Sequence, residues 1–231
     1  MFTGRAHWRF FHRGGHAVKK SDNMRSFRLG AYSSMSASVL RVSLGCRAAP
    51  GLGCGSRAKP LLEALERESS VAQAWLHRSG TMLCLVWKSA TPSAQTLKAL
   101  LLVHGLTMEE EIKGIEREQA LKDLVFGIGW YRGAQVDRLS EEEAEVIAAR
   151  LVRRLRKRLP LPDGQSETLQ AAFAEVCRHE FINYSPEPEQ ARRERIFQGI
   201  MAAGRRYLSI GQLGVLQKVI SAGYRPISDR D

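Results

Sequence analysis

Nowhere does the sequence hold an apolar run long enough to cross a bilayer, which takes about 20 residues. The longest runs are Met82 to Trp87 and Ala99 to Val103, so no membrane span is expected. Acids are nearly missing from the first sixty residues, where Asp22 stands alone against eleven lysines and arginines. Cysteine is sparse. Cys46, Cys54, Cys84 and Cys177 fit neither a C-x-x-C metal or redox pair nor the dense spacing of a disulfide scaffold, and they read as free thiols in a reducing compartment. The 44% hydrophobic and 26% charged residues exclude a disordered tail and describe an ordinary globular chain able to bury a core.

What is present is charge of one sign at one end. Of 35 basic and 24 acidic residues, the first sixty positions hold eleven and one, so residues 61–231 hold 24 and 23 and are close to neutral. The basic, acid-poor leader, 1–60, is transit-like in composition: it contains Ser, Arg, Gly and Ala, sets Trp8, Phe10 and Phe11 among Arg5, Arg9 and Arg13, and has no apolar core of the secretory kind. A disordered basic arm, or a later start at Met24, Met35 or Met82, accounts for the same composition. The expected location is intracellular: mitochondrial or another organelle in a eukaryote, cytoplasmic in a bacterium. Gly51, Gly53 and Gly55 around Cys54 miss the phosphate-loop spacing and read as a flexible linker.

From Pro60 onward the apolar residues recur at three and four, and helix start and stop signals recur between them. A first helix is expected over Leu61 to Arg78. Thr81 to Lys88 is the one stretch that could be a strand, but a lone strand has no partner, so it reads as a connecting or helical segment. Thr91–Pro92 opens the next helix, Thr107 with Glu110 forms a capping box for another, and Ser140 with Glu143 forms a second box ahead of Glu141 to Arg158. Helices after Ser166, after Ser185–Pro186 and after the Ser209–Gln212 box complete the set. The expectation is an all-α fold, a bundle-like or orthogonal domain of about seven helices over 61–231, preceded by a disordered leader.

No spacing names a reaction. Glu175, Cys177 and His179 lie on one helix, yet two i, i+4 residues make an ion pair far more readily than a metal site. No metal or cofactor is expected, and an enzyme with its site at Glu175, Cys177 and His179 is the third-ranked reading. Gly127, Gly129 and Gly133 around Trp130, Tyr131 and Arg132 miss dinucleotide-loop spacing by one residue and read as a turn. The strongest binding feature is Arg150, Arg153, Arg154 and Lys157, projecting from one helix face, with Arg192, Arg193, Arg205 and Arg206 as an extension. Such a face suits phosphates, and the leading reading is a non-enzymatic helical protein that binds nucleic acid or a ribonucleoprotein. The alternative is an interaction or assembly factor docking a protein partner. The hairpin around Gly204 partly fits a helix-turn-helix but offers Gly211, Gln212 and Val215 for base reading, so an ordinary helical hairpin is expected.

Overall fold

Of the two longest apolar runs, Met82 to Trp87 forms a strand and Ala99 to Val103 ends a helix, and three further strands precede Gly127 and Gly129. The computed structural model describes residues 36–183 and 188–223. Within them the chain runs β1 (Ala37–Val42), α1 (Gly55–Arg67), β2 (Val71–His77), β3 (Met82–Trp87), α2 (Ala94–Val103), β4 (Met108–Ile112), α3 (Gly114–Val125), β5 (Trp130–Tyr131), a 3-10 turn (Gly133–Val136), α4 (Asp137–Arg156), α5 (Asp163–Ile182), α6 (Glu189–Gly204) and α7 (Ile210–Ser221). The strands form one antiparallel sheet in the order β4-β1-β3-β2-β5. Strand β3 inserts between β1 and β2, which α1 connects, giving a split β-α-β arrangement.

The all-α expectation is therefore corrected, and each missed strand has its own physical reason. Strand β1 lies within the basic leader and is buried on both sides, so its sequence, ASVLRV, lacks the alternation of a half-exposed strand. The expected first helix is cut at Arg67: its second half is β2, whose register shift between Val71 and Gln73 breaks the period-two signal. Thr81 to Lys88 does have partners, because β3 is the central strand between β1 and β2. The Thr107–Glu110 box is a look-alike. Its glutamates belong to edge strand β4, where charge blocks pairing with another chain. Residues 36–60 of the leader belong to the fold, with α1 opening at Gly55 in place of a linker, while 1–35 lie outside the described residues.

Alternation along the strands directs side chains to two cores. Leu40 and Val42 of β1, Leu83, Leu85 and Trp87 of β3, and Val71, Ala74 and Leu76 of β2 meet α1 and α2 on one face. Ala37, Val39, Cys84, Ile112 and Trp130 meet Ala120 and Leu121 of α3 on the other. The helical half has a third core around Phe173, built by α4, α5, α6 and α7. Its last helix starts with the expected capping box: Ser209 accepts from the Gln212 amide while the Gln212 side chain accepts from the Ser209 amide. Helix α4, however, starts four residues before Glu141, so Ser140 and Glu143 sit inside it and face inward. The expected start at Ser185–Pro186 lies outside the described residues.

The two halves meet where α1 crosses α4. A Cβ on Gly55 would stand 2.3 Å from Ser140 Oγ and 2.8 Å from Ser140 N, so only glycine lets the first turn of α1 approach the α4 backbone. Lys59 pairs with Asp137 at 2.8 Å, and Arg78 with Glu142 at 2.5 Å, across the same seam.

Candidate functional site

Between β1 and α1 the chain turns through the sequence L-G-C-R-A-A-P-G-L-G-C, residues 44–54. The turn closes on itself: Cys46 N donates to Leu52 O at 2.8 Å, Cys54 N to Leu44 O at 2.8 Å, and Gly45 bridges Gly53 in antiparallel fashion. Cys46 and Cys54 flank that bridged pair on opposite arms, so their side chains leave the same face, and both are buried beside Ala49 and Leu52. The β2–β3 turn braces the arrangement from behind. Leu44 N donates to Gly80 O and Gly53 N to Arg78 O, while Gly80, at φ +72, leaves no room for a Cβ against Gly53 and Leu44 O.

A chain of three protic groups runs inward from this turn. Cys46 Sγ lies 2.9 Å from Oε1 of Glu143 on α4, and Cys54 is packed in the same small buried cluster. The Ala48 and Ala49 amides also point at the Cys46 sulfur, each at 3.3 Å. Cys54 occupies the N-cap position of α1, its sulfur 3.5 Å from Ser56 Oγ. The neighbouring Cys46 lowers the Cys54 thiol below its ordinary value, against the effect of burial and with help from Ser56 and the Arg57 charge. Cys46 is correspondingly held in its protonated form by the neighbouring Cys54, by burial and by the Glu143 charge.

Glu143 is 5% exposed, and its Oε2 has no hydrogen-bond partner among the described residues. Burial pushes its carboxyl up to about 7, with the Cys54 charge acting in the same direction and Cys46 and Arg192 opposing. Arg192 of α6 reaches the same place, its Nη1 3.4 Å from Ser56 Oγ. The other two thiols are different in kind. Cys84 and Cys177 are each pushed up to about 12, chiefly by burial, and sit in apolar cores.

The basic residues singled out in the sequence do not form one solvent-facing surface. Arg150 is 6% exposed and donates through Nη1 to Ala48 O, so it clamps the cysteine turn. Arg154 donates to Gly223 O, and Arg192 goes to Ser56. Arg153 and Lys157 remain exposed along a groove between α4 and α5 that also contains Asp163 and Glu167, and Arg193, Arg205 and Arg206 are exposed. Glu175, Cys177 and His179 are not brought together: Glu175 pairs with Arg178, His179 with Glu180 at 3.6 Å, and Cys177 is fully buried. The glycine segment before α4, expected as a turn, carries strand β5 paired with β2, with Trp130 in the core and Arg132 bound to Glu66 at 2.6 Å. Among the described residues no group of three or more His, Cys, Asp or Glu is placed to hold a metal, and no helix is long and apolar enough to cross a membrane.

Sequence reading missed Cys46, Cys54 and Glu143 as a unit. The signal available was the glycine-flanked cysteine at a helix start, G-C-G-S-R, which places a thiol at the N-cap position of α1. No family model, curated protein or solved structure matches the chain.

Proposed function

We propose that this chain is a thiol redox protein whose working unit is Cys54 and Cys46, with Glu143 as the proton acceptor. One observation carries the reading: two thiols buried in one cluster on a closed turn, one of them at a helix N-cap and the other 2.9 Å from a buried carboxylate. Structural buried cysteines need no such partners.

The steps follow ordinary thiol–disulfide exchange with a disulfide R–S–S–R′ as oxidant. Cys54 thiolate attacks one sulfur, forming a mixed disulfide with R–S and releasing R′–S⁻. The Cys46 proton passes to Glu143 Oε1. Cys46 thiolate then attacks the Cys54 sulfur, closing the Cys46–Cys54 disulfide and releasing R–S⁻. Two electrons leave the protein, and the released thiolates carry them away. Ser56 and the Arg57 charge favour the thiolate of Cys54, and the raised affinity of Glu143 for a proton suits it to take one from a thiol near neutral pH.

Mass spectrometry of the protein equilibrated with a disulfide tests this. The expected product is a chain lighter by two hydrogens, with Cys46 and Cys54 protected from alkylation. Cys46→Ser should stop at the mixed disulfide on Cys54, and Glu143→Gln should slow the closing step about ten-fold or more, the scale of lost general-base help. If Cys46 and Cys54 both remain fully alkylatable under strongly oxidising conditions, the redox reading is wrong.

A second reading draws on the exposed bases Arg153, Lys157, Arg205 and Arg206: a surface for nucleic acid or a ribonucleoprotein, reached by counterion release. It requires affinity that falls log-linearly with salt and drops when Arg153 and Lys157 become Ala. A stoichiometric, nuclease-resistant protein partner would point to the assembly-factor alternative.

A further inference from the structure

The chain leaving β1 keeps the two-residue alternation of a strand as far as the cysteine turn. Val42, Leu44 and Cys46 are buried, and Arg41, Ser43, Gly45 and Arg47 alternate with them on the opposite, outward face. Two small residues between two arginines leave a depression there. Arg57 from the first turn of α1 and Thr81 from the β2–β3 turn complete the lining of a cleft of about 440 Å³, which falls within the range of small-molecule sites, about 300–1,000 Å³. Glu109 is the one acid among its described lining residues.

We infer that this cleft binds the phosphate group of a small phosphorylated molecule. Uncommitted positive charge supports it first. Arg41 is held by Glu110 at 2.6 Å and by Glu116 at 2.8 Å. Arg47 and Arg57 have no carboxylate partner among the described residues, both are exposed, and together they outnumber Glu109. The donor set supports it next. Two guanidinium forks alone fill the roughly four acceptor sites of a carboxylate, leaving the Ser43 and Thr81 hydroxyls over. A phosphate ester has three acceptor oxygens and nearly two negative charges, which suits two arginines and two hydroxyls better. The acids set the size of the ligand. A nucleic-acid backbone running past the cleft would meet Glu109, Glu110 and Glu116, all exposed, whereas one phosphate needs only the two free guanidinium groups. Bracing of the turn against Gly80 holds the arms in place without a ligand, so little ordering cost falls on binding. The cleft faces away from the Cys46 side chain and takes no part in the sulfur chemistry, so the two proposals stand or fall separately.

Calorimetric titration of the full chain at constant ionic strength, with phenyl phosphate and with benzoate, tests the assignment. The two probes share a ring and differ in the anion. Phenyl phosphate should bind saturably and about ten-fold or more tighter than benzoate, and the Arg47→Ala/Arg57→Ala variant should lose about ten-fold or more of that affinity, the scale of a lost charged hydrogen bond. Glu109→Gln should tighten binding, because a like charge leaves the lining. Arg153→Ala/Lys157→Ala, in the separate groove between α4 and α5, should bind as the wild type does. Absence of saturable phenyl phosphate binding, equal affinity for benzoate, or a loss in the Arg153/Lys157 variant in place of the Arg47/Arg57 variant overturns the site. A single-stranded RNA oligonucleotide that binds through Arg47 and Arg57 where phenyl phosphate does not would also overturn it, in favour of nucleic acid. The alkylation state of Cys46 and Cys54 enters none of these readouts.

Discussion

The sheet-bearing half, residues 36–136, and the helical half, residues 137–223, keep their polar groups in different places. The first places one helix layer on each face of a five-stranded sheet and ties its rim with exposed or half-exposed pairs such as Arg41–Glu110 and Arg132–Glu66. The second packs four helices around Phe173 and leaves its charges on the surface, as in Arg178–Glu145. Neither interior is rich in polar groups. Of the six buried polar or charged residues among the described ones, four (Ser56, Ser140, Glu143 and Arg150) lie where the halves join. A buried carboxylate without full hydrogen bonding is costly, and Glu143 Oε2 is in that state. The contrast locates the chemistry: each half is built for stability, and the seam holds the groups that stability alone would discard.

The sharpest way to break the contrast is to damage one half and watch the other. Phe173→Ala should cost about 3–5 kcal/mol, since the ring is completely buried. If the seam joins the halves into one cooperative unit, amide exchange at Leu85 in the sheet will accelerate together with that at Ala174; loss of protection at Ala174 alone would make the halves independent.

Glu143→Gln probes the seam through pH. The folded carboxyl titrates near 7 against an ordinary 4.5, so the folded state binds the proton more tightly. Stability from this group is complete below about pH 4.5 and is lost as pH rises towards 7, at a slope on the order of 1 kcal/mol per pH unit. Urea unfolding at several pH values should show that slope in the wild type and a flatter profile in the variant.

The smallest expected effects separate clamp from surface. Arg150→Ala leaves the Ala48 carbonyl without its guanidinium donor and should cost about 1–3 kcal/mol, the range for a lost partner at a buried group. Arg153→Ala, three residues along the same helix and exposed, should stay within about 0.5 kcal/mol by the same urea measurement. Equal costs would mean that Arg150 does not hold the cysteine turn.

Much of the helical half was legible because its signals are local. The Ser209–Gln212 box needs only four consecutive residues, and α4, α5 and α7 fall within a few residues of their expected spans. The Ser140–Glu143 pattern misled for an equally definite reason. Its side chains had competing partners in Gly55 and Cys46, far away in the chain, and burial against them outweighed local capping. In the sheet half, Thr107–Glu110 imitated a cap while serving an edge strand, and β2 hid its period behind a bulge. The basic cluster is divided, Arg150 buried and Arg153 exposed, because an arginine written next to others on a helix still goes wherever a carbonyl awaits it.

By itself the sequence determined the near-neutral body, the want of any long apolar span, the individual helices of the second half and the presence of reactive residue types. Tertiary structure alone decided that Ala37–Val42, Val71–His77 and Met82–Trp87 pair into a sheet, and that Cys46 meets Glu143 across 97 residues and Arg150 meets Ala48 across 102. Helix signals are read within a turn or two of the chain. Strand pairing and buried polar contacts depend on which distant segments exclude water together, and that is settled only once the whole chain has packed.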